Sequence, residues 1–372
     1  MSAAVASPIE KIAATSQASR EELVQLLTCN DAAAEGLYRA ADEVRARVVG
    51  DEVHLRGLIE FSSTCQRNCL YCGLRRGNQA LGRYRMSPEE VVAAGVGAAR
   101  LGYRTVVLQS GEDAGYTAAA LARVVRSIKA ESEVAVTLSI GEREEGEYRV
   151  LREAGADRFL LRIETSSPTL YRELHPDSDW AGRLGCLTAL RRLGYQVGSG
   201  VMIGLPGQRA EMLADDLLFL QSLDLDMIGV GPFIPHPDTP LADAAGGTLG
   251  RALRFVACLR MLCPEALIPA TTALGALSST GRQQALQAGA NVLMPNCTPV
   301  QYREQYQLYP GSICTGESAG ECRGCVEAMI GGLGRRVAAD QGHSLRSRRR
   351  PHPPTPSPSL ERGCPGDEGE LA

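Results

Sequence analysis

The sequence predicts one parallel β/α barrel of eight strands, with a helical extension before it and a cysteine-bearing segment after it. Short β-rich runs alternate with amphipathic helical stretches about eight times, and glycines stand where the helices should stop. The chain has 372 residues, 44% hydrophobic and 22% charged, enough for one large core. A doubly wound open sheet is the competing architecture, because counting strands does not show closure.

The elements follow in order. Residues 1–50 read as a helical extension, with Glu21–Cys29 and Ala32–Val49 apolar at helical spacing and Ser19 and Asp31 as caps. The barrel is expected over 51–310. Its strands are His54–Phe61, Thr105–Leu108, Val134–Leu138, Phe159–Ile163, Gln196–Ile203, Met227–Val230, Leu267–Ala270 and Val292–Met294. Helical stretches between them include Pro88–Leu101, Ala118–Ala130, Trp180–Leu193 and Arg209–Ser222. Gly102, Gly155, Gly194 and Gly289 occupy the stop positions. A C-terminal segment with a second cysteine group covers 311–342. The Pro-, Ser- and Arg-rich stretch 343–372 has almost nothing to bury and is expected to be disordered.

Net charge is −4, so no global basic field for nucleic acid exists. No run approaches the roughly 18 apolar residues of a membrane span, and the N-terminus lacks a signal-peptide apolar region. The expectation is a cytoplasmic chain with neither a nucleic acid nor a membrane partner. Without export, twelve cysteines point to metal or redox work rather than a disulfide framework. Cys29, Cys186, Cys258, Cys263, Cys297 and Cys364 are scattered and read as buried apolar fillers or surface thiols.

The other six form two groups. Cys65, Cys69 and Cys72 fall in FSSTCQRNCLYCGLRR, directly after the first strand. Three thiolates on one loop can hold three irons of a [4Fe–4S] cube and leave the fourth open, the mark of a catalytic rather than a structural centre. A zinc half-site on Cys69 and Cys72 is the alternative, with His54 the only local candidate for a further ligand. Further along, QSGED (Gln109, Ser110, Gly111, Glu112, Asp113) follows the second strand. LLRIET places Arg162 and Glu164 on one face of the fourth, either as a structural ion pair or as binding groups. VMIGLPGQ carries Met202 and Gly204 into a tight strand–helix turn.

The Cys-x3-Cys-x2-Cys spacing, with Tyr71 before the third cysteine, resembles the signature of the radical S-adenosylmethionine (SAM) superfamily. That resemblance implies that Cys65, Cys69 and Cys72 hold a cluster whose open iron is chelated by SAM. It implies cofactor contacts from Tyr71, from Gln109, Ser110, Gly111 and Glu112 to the methionyl amine, and from Arg162 and Glu164 to the ribose or amine. Arg183 would reach the carboxylate, as a guanidinium fork suits, and Met202 and Gly204 the adenine.

The succession IEFSSTCQRNCLYCGLRR, LQSGED, RIETS, LYRELHP, IGLPGQ, GPFIPHPDTPL, IPATTALG and NVLMPN…YREQYQLYPG resembles the HydE family of [FeFe]-hydrogenase maturases, over about residues 10–340. It implies a closed chamber in which an adenosyl radical acts on a small sulfur- or iron-containing substrate, the favoured target being an iron-bound cysteine sulfur. Thr137, Arg158, Met227, Thr271, Thr272, Met294, Tyr306 and Tyr309 would line that chamber. Cys314, Cys322 and Cys325 match a second, variable cluster site, [2Fe–2S] or [4Fe–4S], with zinc or free thiols as alternatives. A reductant such as ferredoxin or flavodoxin and the other hydrogenase maturases are the implied partners. A methylornithine-synthase-like mutase and a noncatalytic iron–sulfur scaffold are the rival functions.

Overall fold

A computed structural model describes residues 3–311 and 313–346. The extension comprises α1 (Ala3–Thr15), α2 (Arg20–Thr28) and α3 (Asp31–Val49). Ser19 caps α2 as predicted, in a capping box with Glu22. The cap of α3 is Asn30, whose side chain accepts from the Ala33 amide at 3.0 Å; Asp31 is instead its first residue and pairs with Arg254. α2 and α3 bury Leu23, Leu26, Leu37 and Val44 against the barrel's helical layer.

The barrel then runs β1 (Glu52–Ser62), α4 (Pro88–Arg100), β2 (Thr105–Ser110), α5 (Ala118–Glu131), β3 (Ala135–Ser139), α6 (Glu145–Glu153) and β4 (Arg158–Leu160). It continues with α7 (Pro168–Leu174), α8 (Trp180–Arg192), β5 (Gln196–Ile203), α9 (Ala210–Ser222), β6 (Met227–Pro232) and α10 (Leu249–Leu262). α11 (Thr272–Leu277), α12 (Gly281–Gln287), β7 (Val292–Leu293), α13 (Val300–Arg303), α14 (Ala319–Gly332) and β8 (Arg336–Val337) complete it. The four glycines expected to end helices all take positive φ, between 81° and 105°.

The strands pair in parallel in the order β6-β5-β4-β3-β2-β1-β7. Single bridges join Met227 to Leu267, Val230 to Ala270 and Pro269 to Val292, so the predicted strand Leu267–Ala270 links β6 to β7 and closes the ring. Central strands are apolar on both faces, as parallel strands between a filled interior and outer helices must be; Val106, Val107 and Leu108 are fully buried. β4 stops at Leu160, short of the expected Ile163. Leu161 and Glu164 still bond to β5 carbonyls, but the Ile163 amide turns to the Ser199 hydroxyl and Glu164 adopts φ 66°.

β8 pairs with the start of β1, bringing the C-terminal segment under the barrel's N-terminal mouth. Residues expected to begin a disordered tail are anchored there. The Ser344 amide and the His343 ring bond to Gln196, and Arg346 pairs with Asp224 at 2.8 Å. The local sequence looked too polar to bury, but it meets polar partners at the barrel floor. The rest of that expected tail, with Cys364, lies outside the described residues. No helix among the described residues is long and apolar enough to cross a membrane.

Candidate active site

At the C-terminal ends of the strands a cavity of about 370 Å³ opens, the position where barrels carry chemistry. β1 ends at Ser62 and its chain turns at once into the cysteine loop. The loop is pressed against the turn after β2, where a side chain on Gly111 would stand 2.3 Å from the Thr64 carbonyl and 2.7 Å from Cys65 Cβ. Only glycine permits that approach. It lets the Glu112 amide donate to Cys65 Sγ at 3.4 Å.

Cys69 and Cys72 face the cavity; Cys65 is half-buried and does not line it. Burial pushes all three thiols up, Cys72 to about 12. Such thiols ionise when a cationic metal centre takes their electron pairs. Among the described residues, no three His, Cys, Asp or Glu side chains gather tightly enough around one metal ion. A cube gripped at three separate irons has no need of such convergence. The donor set fits a [4Fe–4S] cluster.

Around these thiols the cavity wall carries Tyr71, Gln109, Ser110, Arg162, Glu164, Arg183 and Met202. Tyr71 is held by its hydroxyl, 2.8 Å from His175 Nε2. Burial lowers the His175 pKa to about 4, keeping that ring neutral. Glu164 sits in the left-handed region, which costs a non-glycine residue on the order of 1 kcal/mol. Its Oε2 is 3.0 Å from Arg162 Nη2, yet poorly aligned, and is left without a hydrogen bond. Burial raises its pKa. A strained, buried carboxylate with an unmet acceptor is suited to hydroxyl or ammonium donors on a ligand.

Arg183 faces the cavity from α8, but its guanidinium is already engaged. Nε bonds to Glu142, Nη1 donates to the Arg162 carbonyl at 2.8 Å, and Nη2 is 3.8 Å from Glu112. Arg67, inside the cysteine loop, pairs with the same two carboxylates. Glu112 therefore turns behind the loop, and like Gly111 it does not line the cavity. Gly204 is also off the wall; its φ of 87° shapes the turn after β5.

Met227, Thr271, Thr272, Met294, Tyr306 and Tyr309 also line the chamber, with Thr272 and Tyr309 hydroxyls 2.7 Å apart. Thr137 and Arg158 do not. They are register partners outside the cavity wall, and Arg158 is taken up by Gln196, Thr105, the Gln341 carbonyl and His343 at the barrel floor. The cause is register: Leu160 and Met227, both opposite Gly198, line the cavity, whereas Arg158 pairs with Gln196 two residues nearer the strands' N-terminal ends and lies beneath that level.

Cys314 and Cys322 both line the cavity, Cys322 buried, while Cys325 is exposed three residues along α14. Two glutamates escaped the sequence reading. Glu60, on the wall at the end of β1, accepts from Asn296 at 3.0 Å, and burial raises its pKa to about 7. A lone carboxylate in the apolar run LIEF was the available signal. Glu142 carried none.

The radical SAM superfamily matches residues 59–220. The chain is 52% identical over 325 residues to the [FeFe] hydrogenase maturase subunit HydE of Thermotoga maritima, covering 87% of this chain and 93% of that one. It is 30% identical to 3-methylornithine synthase of Methanosarcina acetivorans, covering 76% and 81%. The crystal structure of methylornithine synthase superposes with a TM-score of 0.77 at 26% identity, covering 89% of this chain and 97% of that one.

Proposed function

Because the chain belongs to the HydE family of radical SAM enzymes, we propose that it acts in assembling the active-site cluster of [FeFe]-hydrogenase, with the cavity at the barrel top as its reaction chamber. The observation that carries the reading is one wall shared by Cys69, Cys72, Gln109, Glu164 and Arg183.

Members of the superfamily use a [4Fe–4S] cluster and SAM to generate a 5′-deoxyadenosyl radical. Cys65, Cys69 and Cys72 are assigned to that cluster. Gln109 and Ser110 are assigned to the methionyl amine, Glu164 with Arg162 to the ribose, Met202 and the Gly204 turn to the adenine, and Arg183 to the carboxylate. For Arg183 this requires a ligand carboxylate to compete with Glu142. Tyr71, fixed by His175, packs against the site from the cysteine loop.

Met227, Met294, Thr271, Thr272, Tyr306 and Tyr309 wall a chamber for a small sulfur- or iron-containing substrate, their hydroxyls supplying donors and their apolar parts excluding water. An iron-bound cysteine sulfur is the proposed target. Cys314, Cys322 and Cys325 are assigned to a second iron–sulfur site, and a ferredoxin- or flavodoxin-type protein to electron supply.

The test is complementation. An anaerobic extract holding an [FeFe]-hydrogenase and the remaining maturases, but no HydE, should gain hydrogen evolution when this protein and SAM are added. A protein that cleaves SAM yet restores nothing would instead support the mutase reading.

A further inference from the structure

Arg83 lies in the segment between the cysteine loop and α4. Its guanidinium touches four backbone carbonyls of that loop: Nη1 donates to Ser63 at 2.7 Å and Leu74 at 3.1 Å, and Nη2 to Arg75 at 2.7 Å and Asn78 at 3.2 Å. Ser63 stands two residues before Cys65, and Leu74 two after Cys72. One planar fork thus ties the start of the cysteine loop to its end. The other bonds between the loop's two halves lie further in: the Arg76 amide donates to the Arg67 carbonyl at 2.8 Å, its side chain to the Gln66 carbonyl at 3.1 Å, and the Gly77 amide to the Asn68 side chain at 3.1 Å.

The charge on this fork is not neutralised by a carboxylate. Arg67, Arg76 and Arg85 each pair with carboxylates, while Arg75 in the loop has no ion pair among the described residues. Arg83 has no ion-pair partner among the described residues; its donors meet only neutral carbonyls. The second cysteine segment repeats the device. Buried Arg303 donates to the carbonyls of Thr298, Cys314, Glu317 and Asn296.

We infer that Arg83 is a positioning residue for the first cluster: it clasps the loop that carries Cys65, Cys69 and Cys72, and its unneutralised charge eases the cluster's reduction. The physical basis is electrostatic. A cube held by three thiolates is anionic and becomes more so when reduced, so a nearby fixed cation favours the reduced form. Lysine would keep the charge but cannot span four carbonyls as a rigid fork does. The inference rests on the cluster assignment made above.

The test uses the full chain and the variants Arg83→Gln and Arg83→Lys. In cluster-free protein, the alkylation rates of Cys65 and Cys72 by iodoacetamide, read by mass spectrometry, should rise several-fold in both variants. In reconstituted protein, a redox titration followed by electron paramagnetic resonance should find Arg83→Gln about tenfold harder to reduce, about 59 mV lower for a one-electron couple. Arg83→Lys should stay close to the parent potential. Unchanged alkylation in Arg83→Lys overturns the clasp, and this holds even if Arg83→Gln does not fold. Equal potentials in all three proteins, or an equal drop in both variants, overturn the electrostatic role. If the parent protein takes up no [4Fe–4S] cluster, the proposed function fails instead, and alkylation still reads the clasp.

Discussion

Arg67 Nη2 donates to Glu142 Oε2 across 2.7 Å, tying the residue between the first two cysteines to the turn after β3. Glu142 also holds Arg183, and Glu112 faces both arginines, so two cations and two carboxylates form one largely buried network behind the cysteine loop. The loop is positioned from within the barrel as well as by its own backbone.

Glu142→Gln would leave two guanidiniums to share Glu112. Breaking a buried network from one side costs on the order of 3 kcal/mol. The variant's midpoint in urea unfolding, measured on cluster-free protein, should fall accordingly. A midpoint equal to that of the parent would show that the network does not hold the loop.

The two cysteine groups should separate in function. Cys69→Ala should abolish SAM cleavage, because Cys69 faces the chamber beside Glu164 and Arg183. Cys322→Ala, in the second cysteine group, should leave 5′-deoxyadenosine formation largely intact. Chromatography of anaerobic reactions decides this, and equal loss in both would refute the division of labour.

Glu60 gives a pH signature. Burial lifts its folded-state pKa from 4.5 to about 7, so the folded chain binds this proton more tightly than the unfolded one. The stability associated with Glu60 is therefore highest below pH 4.5 and declines as pH rises through about 7. Glu60→Gln removes that dependence and should make cluster-free protein more stable than the parent at pH 8 by up to about 3 kcal/mol. Denaturation at pH 5 and pH 8 checks the sign. An equal stability difference at both pH values would contradict it.

Gly342 reports on the floor. Its φ is 57°, and a Cβ there would lie 2.7 Å from His54 Nδ1. Gly342→Ala should cost at least about 1 kcal/mol and speed hydrogen exchange at the Ser344 amide, now bonded to Gln196. Unchanged exchange would mean that the segment is not seated under the barrel.

The alternation of strands and helices was legible because it repeats, and each glycine stop reinforces the reading of its neighbours. What depended on one residue's environment was not. Leu267–Ala270 reads as a strand, yet meets its neighbours only through single bridges. Arg158 was a charged residue on an apolar strand, but sequence does not reveal which end of the barrel it serves. Residues 343–346 looked unable to bury anything until Gln196, Asp224 and Glu265 offered polar partners. The cysteine spacing and the short motifs near it were readable because their chemistry is local. Glu142 was not, because its partners lie 41 and 75 positions away.

The most direct test of the central claim is anaerobic reconstitution with iron and sulfide, then dithionite and SAM, with 5′-deoxyadenosine measured by chromatography against a Cys65/Cys69/Cys72 triple-alanine variant. Formation of 5′-deoxyadenosine by the parent and not by the variant is the predicted result. A parent protein with an intact, reducible [4Fe–4S] spectrum and no 5′-deoxyadenosine would contradict the account and point to an iron–sulfur scaffold.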